Sequence, residues 1–409
     1  LGGFLQAATQ PIAPAHLLAN VPIDSLPNAP FGQRPVGSGP FVLVRLDATS
    51  ADLAPASAAG VGAEPTGEPS PASTDSLATP GATIRPSGPV PYLTGIQLRF
   101  FDDPGALVVA YRDDGLDAAS GLPPAQVGDL ASETGSRILR YAGSTLTAVL
   151  FNLRPGQHAF ATPAMRTALL EAIDRTALIQ AAFAGAASPA TGLIPSSSVL
   201  FDSVAAGTVP YDPAAAQKAL KAAGWTKVDN AWRRPNFKKA FTFDLYSPDA
   251  ASNPAAFAAA AAVAADWKRI GLQVSHVALA PSAFVTGRLA RGLFSVAVGD
   301  VTVGLDPDLY PLLASSQTLS GGPNVIGLQD PALDKLLVAA RKPGTAAARA
   351  AAYSALQAQL AKGQYVLPLA FADESIVVRD TLVGPVPRQV ADPSDRFWDV
   401  LTWRLAADR

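Results

Sequence analysis

The stretch Thr145–Gly192, TLTAVLFNLRPGQHAFATPAMRTALLEAIDRTALIQAAFAGAASPATG, decides how the rest of the chain is read. It opens on an apolar, β-rich run from Leu146 to Leu153. Thr162-Pro163 then marks a helix start. Threonine caps well, and proline is tolerated at the first helical position, where an N–H would lack an intrahelical partner anyway. Met165, Ala168, Leu169, Ala172 and Ile173 recur at helical spacing, which predicts one apolar face. Asp174-Arg175 closes that segment, and a second short helix runs through Ile179 and Phe183 to Gly185.

The same stretch resembles the extracellular solute-binding proteins of the peptide/nickel type, which feed ABC importers. Members of that family carry a strand ending in F-N, a polar loop, R-x-A-L-x-x-A-I-D-R, and a small-residue segment leading to I-P. Here these are Phe151-Asn152, Arg166 to Arg175, and Ile194-Pro195. Further family segments follow in order. They are Pro11, Pro14, His16 and Leu17; Phe31 with Pro35, Val36, Gly37, Ser38, Gly39, Pro40 and Phe41; and Asp103, Ala106, Ala110, Gly115 and Asp117. Next come Tyr211-Asp212-Pro213 through Gly224-Trp225, then Asp306-Pro307, Asn324, Pro331 and Asp334. The resemblance spans roughly residues 10–46 and 92–405.

Composition agrees with a large folded protein. At 409 residues two lobes are the natural expectation, and 49% hydrophobic against 16% charged residues excludes a disordered or nucleic-acid-binding composition. The formal net charge of −2 gives no overall pull toward nucleic acid or an anionic membrane. With no cysteine, disulfide frameworks, thiolate metal sites and thiol nucleophiles are excluded. His16, His158 and His276 stand far apart in sequence, without metal-ligand spacing. No apolar run reaches the roughly 18 residues of a membrane span, and Leu1-Gly2-Gly3 has neither a basic leader nor a cleavage site. In the family the first segment here lies well inside the sequence, so the resemblance implies an N-terminally truncated member.

Working outward, Gly37 and Gly39 suit a tight turn before a strand Phe41–Leu46. Residues 47–90 are rich in Ala, Pro, Ser, Thr and Gly, and read as a low-complexity insertion with little regular structure between Ala51 and Pro89. Order resumes with a strand, IQLRFF, and a helix started by Asp103-Pro104. Beyond the central stretch, strands and helices alternate: the helix after Pro213, the strand FTFDLYS, the Ala-rich helix to Lys268, the strand LQVSHVAL. That alternation predicts a layered α/β lobe. Trp225 follows a Gly224 helix stop and reads as a core residue. Thr345–Leu360 is an amphipathic helix, and YVLPLAF, ESIVVRD and FWDVLTWRL read as strands. The expected organisation is lobe I from 1–144 with its insertion, lobe II from 145–365, and a return to lobe I over 366–409. The expected fold is α/β, a two-lobed periplasmic-binding-protein-like fold of type II, with the first lobe discontinuous and incomplete.

No catalytic constellation is present: no G-x-S-x-G elbow, no Walker A, no G-x-G-x-x-G. The chain therefore reads as a binding protein, not an enzyme, and calls for no cofactor or metal. The resemblance implies capture of a peptide or similar small solute in an inter-lobe cleft by hinge closure, then delivery to ABC permease subunits. It implies an extracytoplasmic place, in the periplasm or as a cell-surface lipoprotein. Membrane association comes only through an N-terminal anchor absent from this sequence or through the permease, and nucleic acid is no partner. The candidate solute-binding residues are Phe151, Asn152, Asp300, Asp306 and Asn324. In peptide-binding members an aspartate three residues before the D-P pair anchors the α-amino group, and a tryptophan stands three residues further back. Here those positions are Val303 and Asp300, so Asp300 or Asp306 must take that charge if the solute carries one. The alternative in which Asp300, Asp306 and Asp308 only cap a helix stays open. So do a fold-retaining sensory or structural lipoprotein and, less favoured, a hydrolase.

Overall fold

Residues 18–32, 35, 37, 39–56, 92–156, 159–318 and 322–406 are described by the computed structural model. Pro11, Pro14, His16, Leu17, Val36, Ser38, His158 and most of the expected insertion, 57–91, lie outside them. The chain divides into two compact units. The larger holds the described parts of Arg140–Ser375 and Pro387–Asp395. The smaller holds those of Pro11–Leu139, Ile376–Val386 and Arg396–Arg409.

In the smaller unit Asp47 turns the chain. Its carboxylate accepts the N–H of Thr49 at 2.9 Å and of Ser50 at 2.8 Å. Those bonds, the Thr49 N–H foremost, hold its pKa down at about 2. The turn joins β1 (Phe41–Leu46) to β2 (Ser50–Pro55), and β3 (Ile96–Arg99) pairs on the other side of β2. This corrects the expectation for the first residues of the insertion, because 51–55 is a strand. SADLAP has weak β propensity, but ladders on both sides occupy its backbone, and Leu53 stands between Leu43 and Ile96. Next come α1 (Pro104–Arg112), capped by Asp103, then β4 (Ala118–Ser120) and α2 (Pro124–Ala131). Tyr111, Ala119, Leu130 and Val377 make the core of this unit.

Strand β5 (Ser136–Phe151) passes from the smaller unit into the larger. There follow α3 (Pro163–Glu171), α4 (Arg175–Phe183), β6 (Ala187–Pro189), α5 (Ser203–Ala206), α6 (Pro213–Ala222), β7 (Thr226–Val228) and β8 (Ala231–Arg233). Then come β9 (Thr242–Pro248), α7 (Pro254–Arg269), β10 (Gln273–Leu279), α8 (Pro281–Phe284), a π-helical turn Val285–Leu289, and β11 (Val296–Thr302). The unit is completed by α9 (Tyr310–Leu313), α10 (Pro331–Ala340), α11 (Ala346–Gly363) and the greater part of β12 (Val366–Arg379). The strand order is β10-β9-β11-β5-β12. β9 runs parallel to β10 and β11, whereas β5 is antiparallel to β11, with Phe151 opposite Val296 and Thr147 opposite Asp300. The alanine face of α7 packs across β9, β10 and β11, with Ala256, Ala259, Ala260, Val263 and Trp267 buried.

The central motif explains itself in space. Thr162 caps α3, as the sequence suggests, and Asp174, which closes that segment, also caps α4. Arg166 is buried and donates to the carbonyls of Phe160, Ala161, Gly363 and Gln364, so it clamps the end of α11 onto the start of α3. Burial without a carboxylate partner draws its pKa down to about 10. Arg175 holds the carbonyls of Ala190 and Val209. Trp225 lies in the core, edge-on to Phe241.

Two expectations near the C-terminus change. YVLPLAF and ESIVVRD are one strand, β12. FWDVLTWRL is not a strand: Pro393–Thr402 is a 3-10 segment, and only Arg404–Leu405 (β14) extends, pairing with β13 (Leu382–Val383). The cause is Asp399, whose carboxylate accepts the Val386 N–H and the Trp403 indole N–H, each at 2.7 Å. In an extended strand, residues four apart would stand about 13 Å from each other.

Candidate functional site

Asp300 sits near the C-terminal end of β11 and is exposed. Its register partner Thr147 is buried and donates to Oδ1 at 2.6 Å. The Nδ2 of Asn253 donates to Oδ2 at 2.7 Å, while the Oδ1 of Asn253 caps α7 through the Ala256 N–H. A strand neighbour and a helix cap thus fix the plane of a carboxylate whose remaining lone pairs face solvent. Chemically this is a fixed acceptor for a cation or an N–H donor.

The loop after β11 is built differently. Val303 is buried in the apolar core and donates its N–H to the Ser144 carbonyl. Asp306 is 5% exposed and pairs with Arg349, whose guanidinium lies 5.3 Å from the Tyr353 ring centre. Burial lowers the Arg349 pKa, but the hydrogen bond and charge of Asp306 prevail and leave it raised. Burial first, and then the charge of Asp306, push the Tyr353 hydroxyl up to about 12; that hydroxyl donates to the Pro307 carbonyl at 2.8 Å. Asp308 caps the Tyr310 N–H and pairs with Arg341 at 3.1 Å.

The other candidates are interior. Phe151 is fully buried, its ring 5.1 Å from that of Phe160. The Nδ2 of Asn152 donates to the carbonyls of Gly292 and Phe294, each at 2.9 Å, and its Oδ1 accepts from Arg154. Arg154 continues to the Val325 carbonyl at 2.8 Å. A Cβ at Gly327, where φ is +68°, would stand 2.2 Å from Arg154 Cγ, so that position requires glycine. Asn324 is 1% exposed and bonds the Ala314 and Leu328 carbonyls and the Leu328 N–H. Arg154 thus ties the Asn152 strand end to the Asn324 loop. Asp300 stands apart from both, four residues along β11 from the partner of Phe151, or about 13 Å. Of the residues missed from sequence, Asn253 had a local signal, an Asn-Pro helix start. Thr147 and Arg349 had none, because their roles arise from strand register and from the packing of a distant helix.

Residues 5–322 match the family model described as bacterial extracellular solute-binding proteins, family 5 Middle. Protein XP55 of Streptomyces lividans is 28% identical over 299 residues, covering 73% of this chain and 53% of that protein. The probable ABC transporter periplasmic-binding protein SapA of Escherichia coli (strain K12) is 31% identical over 234 residues, covering 53% of this chain and 40% of its own length. The chain thus spans about half the length of the curated relatives it matches. Among solved structures, the oligopeptide-binding protein AppA of Bacillus subtilis, in complex with a nonapeptide, superimposes with a TM-score of 0.67 at 20% identity, over 99% of this chain and 74% of that one. That likeness shows the fold, the type II periplasmic-binding-protein architecture.

Proposed function

The chain belongs to the bacterial extracellular solute-binding proteins, family 5, and on that premise we propose that it captures a peptide or similar small solute and hands it to the permease of an ABC importer, without chemistry. Family membership carries this reading. The likeness to SapA, a probable ABC transporter periplasmic-binding protein, and to AppA, which binds a nonapeptide, supports it. The place of action is outside the cytoplasm, in the periplasm or at the cell surface as a lipoprotein. The division of the chain into two compact units supports a two-lobed reading.

Within the larger unit, Asp300 is the proposed acceptor for the solute's ammonium group, because it alone of the five candidates joins an oriented carboxylate to solvent exposure. Phe151, Asn152, Asp306 and Asn324 are buried, so in this reading they hold the strand end and the loops in place rather than meet the solute. The anchoring position of peptide-binding relatives, Val303, is an apolar core residue, so an amine must be met elsewhere. Calorimetry with a panel of short peptides and their N-acetylated forms tests this. Asp300→Ala should weaken a free-amine peptide by about 1.5–3 kcal/mol, the range for a hydrogen bond to a charged group, and leave an acetylated one within about 0.5 kcal/mol. If the folded protein binds peptides and Asp300→Ala changes nothing, the anchor assignment is wrong. If it binds no peptide of any length, the peptide reading itself goes.

A further inference from the structure

The larger unit carries a basic loop that the solute-binding reading does not use. From Arg233 to Lys239 the sequence is RRPNFKK, with four cations around one phenylalanine and no acid between Asp229 and Asp244. Its base is rigid. Trp232 is fully buried and donates its indole N–H to the Ile270 carbonyl at 2.8 Å. The Phe241 N–H closes the loop on the Trp232 carbonyl at 2.8 Å, and the Phe241 ring stacks on Phe243 and meets Trp225 edge-on. Asp244, the nearest acid in sequence on the strand side, accepts the Tyr246 hydroxyl.

The crest is open. Residues Pro235 to Ala240 are exposed, Phe237 at 56%. Asn236 turns the crest with φ at +66°, and the Phe237 N–H bonds the Arg234 carbonyl at 3.0 Å. The Arg234 guanidinium lies 4.2 Å from the Phe237 ring centre and 5.1 Å from that of Phe241, which holds the exposed ring upright. Among the described residues, Lys238 and Lys239 form no ion pair with an acid. An exposed aromatic ring beside a guanidinium and two solvated lysines places apolar and cationic groups side by side, the pairing that suits a membrane interface.

We propose that the Arg233–Lys239 loop docks the protein on an anionic phospholipid bilayer, with Lys238, Lys239 and the arginines against headgroup phosphates and Phe237 at the headgroup level. Two observations favour a bilayer over a soluble polyanion. The apolar ring sits at the crest, where it would enter the interface, and the lysine stems can lie along that interface with their charges in the headgroups. The loop leads into β9, parallel to β11, so it lies at the end of the sheet opposite Asp300, and docking leaves the Asp300 end free.

Co-sedimentation of the full chain with vesicles of phosphatidylglycerol in phosphatidylcholine, against phosphatidylcholine alone, tests this. Binding is expected to the anionic vesicles only and should be lost at high salt. K238E/K239E should lower it at least about tenfold, and the charge-neutral K238Q/K239Q should fall between. F237A should lower it about threefold and keep the salt dependence. All three changes are on exposed side chains, so unchanged thermal melts verify the fold. Absence of binding to anionic vesicles, equal binding to neutral ones, or binding that K238E/K239E leaves intact would each overturn the proposal. So would displacement of the vesicles by soluble polyglutamate with F237A unaffected, which would make the loop a general polyanion site.

Discussion

The two ends of the parallel strands β9, β10 and β11 treat charge in opposite ways. At the C-terminal end every acid is engaged. Asp249 accepts from Ser252, Asp300 from Thr147 and Asn253, Asp306 pairs with Arg349, and Asp308 with Arg341. At the N-terminal end Lys238 and Lys239 stand in solvent. A net charge of −2 averages over this difference and conceals it. Charges that are hydrogen-bonded and partly buried define geometry, whereas solvated ones define a long-range field. The first kind suits recognition of one group at one position, and the second suits a surface.

Substitutions at the two ends should therefore differ in kind. The largest effect should come from Asp306→Ala, which leaves the Arg349 guanidinium without its carboxylate in a mostly buried place. A loss of about 3–5 kcal/mol in chemical denaturation is expected, and a loss under about 1 kcal/mol would show that the pair is solvated after all. Asp300→Ala should cost about 1 kcal/mol of stability, since the buried Thr147 hydroxyl loses its acceptor while Asp300 itself is exposed. Its larger effect belongs to solute affinity. Lys238→Glu with Lys239→Glu should leave stability within about 0.5 kcal/mol, and any greater change would mean that the loop packs on the fold.

The smallest effect concerns pH and lies between the two ends. His276 of β10 hydrogen-bonds the buried Ser247 hydroxyl at 2.8 Å and packs tilted against the Phe257 ring. Burial first, and then the nearby Lys268 charge, lower its pKa from 6.5. The unfolded chain therefore takes up a proton at 6.5 before the folded chain does, and stability declines as the pH falls through that value. Melts between neutral pH and pH 5 should lose part of their slope in His276→Gln. An unchanged slope would assign the dependence to other groups.

Much of the larger unit was legible because its signals are local. Thr162, Asp174, Asp212 and Thr345 each cap a helix that begins within three residues of them. The alanine face of α7 and the Gly224-Trp225 stop were equally plain in the sequence. β2 was not legible, because SADLAP becomes a strand only when β1 and β3 flank it. FWDVLTWRL misled because its apolar spacing suits a strand, while Asp399 finds partners that only a turn can bring to it. The acids of the candidate site could be named from sequence, but whether each was buried or exposed could not.

By itself the sequence determined the capped helices, the alternation of strands and helices in the larger unit, and the family to which the chain belongs. Caps, periodic apolar residues and short motifs act within one or two turns of backbone, so their outcome is written where they stand. Tertiary structure alone decided that Asp300 faces solvent while Asp306 does not. It also decided that Arg166 clamps carbonyls 197 and 198 residues further on. Thr147 lies 153 residues from Asp300, and they meet because β5 and β11 pair in one register. A shift of that register by one residue would turn Thr147 to the other face of the sheet and leave the carboxylate without its donor.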